Sequence, residues 1–253
     1  MLYIEGAAGI SGDMTVGALL SLGASRERLK TVLDSLKLGD EFSYVISEKA
    51  SYGIAGTDFD VILPHRHHHH EHAHHHHHHY EHRNLADVEA VIDRGEMSDR
   101  ARALAKKAFR FVAEAEAKAH GKPLDEVHFH EVGAIDSIVD IVSAAVLFDD
   151  LDETECVVAG LTEGSGTVMC AHGELPVPVP AVLNIAAATG VPLRVSDTKG
   201  ECVTPTGIAL AAAFRTRETL PAAYRVKGVG IGLGKRDYGR PAILRIMKIE
   251  AAE

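Results

Sequence analysis

The chain of 253 residues has no tryptophan and only three cysteines. Cys156, Cys170 and Cys202 fall 14 and 32 positions apart, which is neither a CxxC metal pair nor an even disulfide framework. They read as mostly buried thiols. Long apolar runs are also lacking: stretches such as IVSAAVLF at 141–148 are far too short to span a bilayer. The opening MLYIEGAAG has no basic segment followed by an apolar one, so cytoplasmic residence without a membrane partner is the expectation. Basic charge is scarce as well, because 26 Lys and Arg face 36 Asp and Glu for a formal charge of −10. The cations are scattered along the chain, which argues against nucleic acid as a partner. Neither a P-loop lysine nor a dinucleotide fingerprint is present.

What is present is enough sequence to bury a full core, with strand and helix patterns in alternation. LYIEG at 2–6 reads as a strand, and SGDMTVGALLSLG at 11–23 as a helix with Met14, Leu19 and Leu22 at roughly helical spacing. FSYVISEKA at 42–50 and TDFDVILP at 57–64 read as a strand pair joined through YGIAG. Helices are expected over 84–95 and 98–121, each ending at a glycine, with Ser98 as the N-cap of the second. Further helices are expected over 135–149, 180–189 and 206–216, and strands near 155–161, 224–232 and 242–249. The predicted fold class is α/β with mixed layers, with α+β as the alternative. Residues 1–253 form one region interrupted by a flexible histidine-rich insertion at 64–82.

That insertion, HRHHHHEHAHHHHHHYEH at 65–82, carries thirteen of the 17 histidines. Neutral imidazole ligates Ni, Cu, Zn and Co, so the run can take up several divalent ions in changing sets. His67, His68, His69, His70, His74, His75, His76, His77, His78 and His79 are its candidate ligands. An expression tag would sit at a terminus, whereas this run is internal and broken by Arg66, Glu71, Ala73 and Tyr80. Metal sequestration is therefore the favoured reading, and nothing in such a run selects nickel over zinc or copper.

A second cluster lies in HFHEVGAIDSIVD at 128–140. On an extended backbone His128 and His130 share one face, within reach of one ion, and Glu131 follows at the bend. On the helix after it, Ile138, Val139, Val142 and Val146 form an apolar stripe with Ile135, while Asp136 and Asp140 share a flank four residues apart. The later turns are apolar almost all round, so the helix is expected to be buried, where an idle pair of acids would be costly. His128, His130 and Asp140 are candidate metal ligands.

Three other stretches bear on chemistry. GAAGISGD at 6–13 places Gly6, Gly9 and Gly12 ahead of a helix, where bare backbone N–H groups can meet a phosphate. Asp13 in the first turn can satisfy the helix end itself or hold a metal, and a plain tight turn is an equal reading. AHGELPVPVPA at 171–181 is stiffened by alternating prolines and carries His172, a further metal candidate. TPTG at 204–207 reads as a helix start, with Thr204 as cap and Pro205 in first place. Gly9, Ser11, Gly12, Thr204 and Thr206 are the candidate substrate contacts.

Taken in order, GISGDM, the histidine-rich loop, AEAEAKAHG, VHFHEVGAIDSIVDI, HGELPVPVPA and TPTG resemble the LarC family of nickel-pincer nucleotide cofactor biosynthesis proteins, which are nickel insertion proteins. The resemblance implies a CTP-dependent cyclometallase (lyase class) that inserts Ni(II) into pyridinium-3,5-bisthiocarboxylic acid mononucleotide, forming the cofactor of lactate racemase. It also implies that a ring proton leaves as nickel bonds to carbon, with Asp13, Glu131 or Asp136 as the acceptor. Family members usually continue into a C-terminal region that binds CTP with Mg or Mn, sometimes encoded in a frameshifted reading frame. That region is absent from this chain and is expected as a partner; assembly into a homo-oligomer is left open. The family opening tends to read Asp-Cys-Phe where this chain has Glu5, Gly6 and Ala7. A nickel store or metallochaperone without catalysis is the alternative, and a metal-dependent hydrolase built on His128, His130 and Glu131 is a third reading.

The tract should bind several Ni(II) ions at neutral pH and release them as pH falls through ~6.5, because protonated imidazole cannot ligate. Equilibrium dialysis at about pH 7.5 and about pH 5 measures this. Equal stoichiometry at both would show that the histidines do not hold the metal.

Overall fold

The computed structural model describes residues 1–64, 83–126, 135–170 and 172–252. Its first strand, β1 (Leu2–Glu5), leads through the glycine loop into α1 (Gly12–Ser21) and α2 (Arg26–Ser35). The hairpin of β2 (Ser43–Ser51) and β3 (Ile54–Ile62) follows, then α3 (Leu85–Arg94), α4 (Asp99–His120) and α5 (Ile135–Asp150). Short strands come next: β4 (Cys156–Val157), β5 (Leu161–Ser165), β6 (Thr167–Cys170) and β7 (Gly173–Pro176). The chain closes with α6 (Pro180–Thr189), β8 (Leu193–Lys199), α7 (Pro205–Phe214), β9 (Tyr224–Leu233) and β10 (Ile243–Ala251).

The main sheet has six strands in the order β2-β3-β9-β10-β1-β4. It is mixed, because β3 with β9 and β1 with β4 run parallel while the other neighbours are antiparallel. The expected α/β class holds. Tyr52 and Gly53 turn the hairpin with φ of 50° and 80°, the left-handed geometry that suits a two-residue loop between twisted strands. The strand expected over 155–161 is two strands: β4 joins β1 in the main sheet, whereas β5 pairs with β8 in a separate two-stranded sheet. The β6–β7 hairpin, β8 and α2 were not expected.

Helix ends follow local chemistry. Ser98 accepts from Ala101 N–H at 3.0 Å, and Asn84 and Asp87 form a reciprocal capping box on α3. Thr204 accepts from Gly207 N–H at 3.1 Å with Pro205 at the first helical position. Asp149 and Asp150, placed unfavourably against the dipole at the tail of α5, serve neighbouring helix starts instead. Ser98 donates to Asp149, and the Ser25 N–H donates to Asp150.

The core lies between the sheet and the helices, with α5 buried against α1, α2, α4 and α7. Among the described residues no helix is long and apolar enough to cross a membrane. Helix α1 approaches the sheet closely enough for backbone to meet backbone at three glycines. A Cβ on Gly232 would lie 1.9 Å from the Met14 carbonyl oxygen, one on Gly230 2.0 Å from that of Ala18, and one on Gly17 2.4 Å from that of Thr57. Backbone meets backbone, so the head of α1 is fixed relative to β3 and β9.

Gly232→Ala should therefore lower stability by about 3 kcal/mol, since neither carbonyl nor strand can yield without moving a helix. Gly228→Ala in the same strand, whose Cβ would meet only the Leu22 side chain at 3.2 Å and the Lys248 Cβ at 4.0 Å, is the control for glycine loss without a backbone clash. Equal urea midpoints for the two variants would contradict the backbone contact.

Candidate functional site

The glycine loop is held by its own fold before any ligand is considered. Ile10 N–H donates to the Cys202 carbonyl at 2.9 Å, and Thr204 N–H returns a bond to the Ile10 carbonyl at 3.0 Å. Gly9 allows this approach, because a Cβ there would lie 2.1 Å from the Cys202 carbonyl oxygen. Gly207 lets the start of α7 pack as closely on Ile10, its Cβ position lying 2.3 Å from the Ile10 oxygen. The GISGD and TPTG stretches are thus one structural unit.

Behind it lies a residue that sequence reading missed. Glu163 is fully buried, and its Oε1 accepts N–H groups from Gly164 at 2.7 Å, Cys202 at 2.6 Å and Val203 at 3.0 Å. One carboxylate oxygen therefore fixes the segment to which the glycine loop is bonded. The available signal was weak: a lone acid beside a glycine inside a strand of small residues.

The head of α5 meets this unit from the other side. Gly12 touches Asp140 directly, and a Cβ at residue 12 would lie 2.4 Å from Asp140 Oδ2. Asp140 Oδ1 is out of solvent and has no hydrogen-bond partner among the described residues. Burial first, then the negative charges of Asp13 and Asp136, push the Asp140 carboxyl well above the usual carboxylate range; Lys235 and the Asp13 backbone N–H oppose the shift. Asp136 is raised as well, chiefly by the crowding around it, although its side chain reaches solvent. Asp13 accepts from the Ser11 hydroxyl and from Met14 N–H at 2.8 Å, so it satisfies its own helix end.

Lys235, also missed, supplies the countercharge. Its ammonium lies 3.7 Å from Asp13 Oδ2 and bonds Asp60. Burial works against that ammonium, but Asp60, Asp13 and Asp58 outweigh it and hold its pKa above the ordinary value. A shallow cleft of about 470 Å³ opens beside it, lined by Lys49, Asp58, Asp60, Lys235, Arg236 and Asp237 among others.

The structure thus brings together Gly9, Ser11, Gly12, Asp13, Asp136, Asp140 and Thr204, with Thr206 buried in the first turn of α7. Each loop residue is engaged with protein. His172 stands elsewhere, packed on His120 with ring centroids 4.9 Å apart. His128, His130, Glu131 and the histidines of 65–82 lie outside the described residues. Among the described residues no three His, Cys, Asp or Glu side chains already meet as a ready metal cage. Cys156 and Cys202 are buried and Cys170 half-buried, all three unbridged, and burial pushes the Cys156 thiol up to about 12.

The sequence pattern of nickel insertion proteins matches residues 2–253. The chain belongs to the nickel insertion protein family. It is 53% identical over 254 residues to the pyridinium-3,5-bisthiocarboxylic acid mononucleotide nickel insertion protein of Alkaliphilus metalliredigens, covering 98% of this chain and 60% of that one. The proteins of the same description from Acetivibrio thermocellus and Akkermansia muciniphila are 42% and 40% identical, each alignment covering 100% of this chain and 61% of the relative. The chain therefore spans about three fifths of the length of these curated relatives. No solved structure matches it.

A family site built on crowded acids should be a stability liability. Asp140 binds its proton more tightly folded than unfolded, so stability falls as pH rises from the ordinary 3.8 toward its raised value. Asp140→Asn should raise the melting temperature at about pH 7.5 by about 2–4 °C, the equivalent of roughly 1 kcal/mol in a chain of this size. The gain should shrink as pH falls toward 3.8. Calorimetry across that range measures it, and a loss of stability at neutral pH would mean that the carboxylate is a structural partner.

Proposed function

We propose that this chain supplies the nickel-handling part of an insertion reaction that places Ni(II) into pyridinium-3,5-bisthiocarboxylic acid mononucleotide. Its membership of the family supports the reaction class. The observation that carries the site is the partnerless Oδ1 of Asp140, buried beside Asp13 and Asp136 at the end of a backbone-fixed loop. Asp140 feels the negative charges of Asp13 and Asp136, with Lys235 to offset them, and such a field favours a cation.

Nickel is a substrate in this scheme. Carboxylate and imidazole hold it less tenaciously than sulfur does, so thiocarboxylate donors on the incoming nucleotide can draw it across. The cleft beside Lys235 lies next to the acids and is of a size for a mononucleotide, with Lys49, Lys235 and Arg236 on its wall, each paired with an acid that a phosphate would have to displace. Formation of a nickel–carbon bond releases a ring proton, and Asp13, Glu131 or Asp136 is the acceptor in this scheme. His128, His130 and the imidazoles of 65–82 complete the supply of metal. CTP with Mg or Mn belongs, in this proposal, to the C-terminal region found in the longer relatives, and the site of action is the cytoplasm.

The purified chain with nickel, Mg or Mn and substrate should not consume CTP, and cofactor formation should appear only when the C-terminal region of a relative is added. In that reconstituted system Asp13→Asn and Asp140→Asn should each lower cofactor yield by roughly 100-fold while bulk nickel, dominated by the histidine tract, changes little. Full yield from both variants would make the acid cluster structural and would favour the reading as a nickel store.

A further inference from the structure

The cations on the cleft wall are already committed. Lys49 bonds Asp58 at 2.6 Å, Lys235 bonds Asp60, and Arg236 reaches Glu201 Oε2 at 3.0 Å and the Glu201 carbonyl at 2.9 Å. Arg240, at the far end of the same loop, differs from them. Its Nε and Nη2 have no hydrogen-bond partner among the described residues, and both are out of solvent. Those two atoms form the edge with which a guanidinium grips two oxygens of one phosphate or carboxylate, so the bidentate face of Arg240 is unused.

A guanidinium edge shut away from water without a counter-ion is costly, and its neighbours do not remove the cost. Glu163 Oε1 is spent on three backbone N–H groups, and its Oε2 also lacks a partner, so the two side chains are not bonded to each other. The Cys202 thiol lies beside Arg240, but burial first, then the charge of Glu163, hold its pKa above the ordinary value against the pull of Arg240 and Tyr238. A neutral thiol is no counter-ion. The loop itself is closed at its stem by Gly234 N–H donating to the Ala242 carbonyl at 2.8 Å. Its crown is fastened by a few contacts: Tyr52 OH donates to Asp237 at 2.6 Å, Arg236 pairs with Glu201, and the Tyr238 hydroxyl donates to the Glu201 carbonyl. Beneath it runs the segment to which the glycine loop is bonded through Cys202 and Thr204.

We infer that Arg240 binds the phosphate of the mononucleotide, which reaches it when residues 235–241 lift from Glu201 and Cys202. The inference deepens the proposed insertion reading and rests on it for the class of ligand, a pyridinium mononucleotide. Phosphate is assigned to this residue because the other cations beside the cleft would each have to give up an acid, and the residues of the glycine loop are engaged with protein. The thiocarboxylates belong instead with nickel at the acids, where sulfur has to meet the metal. A doubly charged group held by two parallel N–H bonds out of water compensates a guanidinium that the closed loop leaves unpaired.

The test is equilibrium binding to the full chain, without nickel or CTP. Nicotinic acid mononucleotide is the probe, and nicotinic acid riboside, which keeps the ring and carboxylate but lacks the phosphate, is the comparison. The parent chain should bind the mononucleotide more tightly than the riboside. Arg240→Gln should weaken the mononucleotide by about 10–100-fold, the loss of charge-assisted bonds made out of water, and leave the riboside unchanged. Arg240→Lys, which keeps the charge but not the fork, should give a smaller loss confined to the mononucleotide. The free Arg240→Gln chain should melt no lower than the parent, because it sheds an uncompensated charge. A guanidinium with a merely structural role would instead lower the melting temperature and cost both ligands alike. Equal affinity of the parent and Arg240→Gln for the mononucleotide overturns the inference, as does a loss shared by the riboside or a parent chain that does not prefer the mononucleotide. Should Arg240→Gln fail to fold, Arg240→Lys decides by the same comparison. Because neither nickel nor cofactor yield is measured, failure here leaves the insertion reading standing, and failure of that reading shows in the cofactor yield instead.

Discussion

Helix α1 meets the sheet backbone to backbone at Gly17, Gly230 and Gly232, and the place of Asp13 beside the head of α5 follows from that contact. Gly230, Gly232 and Gly17 remove the side chains that normally hold a helix about 10 Å from a sheet. The helix therefore comes close enough for its first turn to reach α5, where Gly12 again substitutes absence of a side chain for distance and admits the Asp140 carboxylate. Had α1 been spaced from the sheet by leucines, Asp13 and Asp140 would not share a local field. The glycine loop is held in the same manner, by main-chain bonds to Cys202 and Thr204, and Glu163 anchors that segment from the interior.

Such a scaffold resolves a problem that the acids create. A buried carboxylate with a partnerless oxygen is unfavourable, and like charges nearby make it worse. Flexible surroundings would relieve the strain by turning Asp140 toward water or by letting the two helices part. Backbone packing denies both escapes, since the strand, loop and helix cannot move separately. Lys235 moderates the repulsion without cancelling it, being shared with Asp60 at the edge of the cleft. The stability of the surrounding core is what keeps an uncomfortable charge arrangement available to a cation.

How much of this was legible in the sequence depended on separation along the chain. The caps at Ser98 and Thr204, the breaks at Gly95 and Gly121, and the pairing of Asp136 with Asp140 one turn apart are local, and short-range patterns carried them. The burial of α5 was legible from its unbroken apolar turns. Lys235 and Glu163 were not, because their roles depend on Asp13 and on Cys202 and Val203, which are 222, 39 and 40 positions away. No periodicity connects such residues. The β5–β8 and β6–β7 pairs escaped for a related reason: β5, β6 and β7 are only four or five residues long, and β5 finds its partner only after α6. Helix α2 lies in a charged stretch with few apolar residues, where composition alone suggests a loop.

In the proposed scheme the histidine tract and the acid cluster differ in chemistry, and the difference orders them. The tract at 65–82 offers many imidazoles of equal standing, which favours capacity over position. The acid cluster offers carboxylates that are costly without a cation, and carboxylate oxygen would hold nickel more weakly than sulfur donors do. An ion moving from the tract toward a dithiocarboxylate would pass from abundant ligands to few, and from nitrogen to oxygen, before meeting sulfur. Tight binding at any intermediate point would halt it.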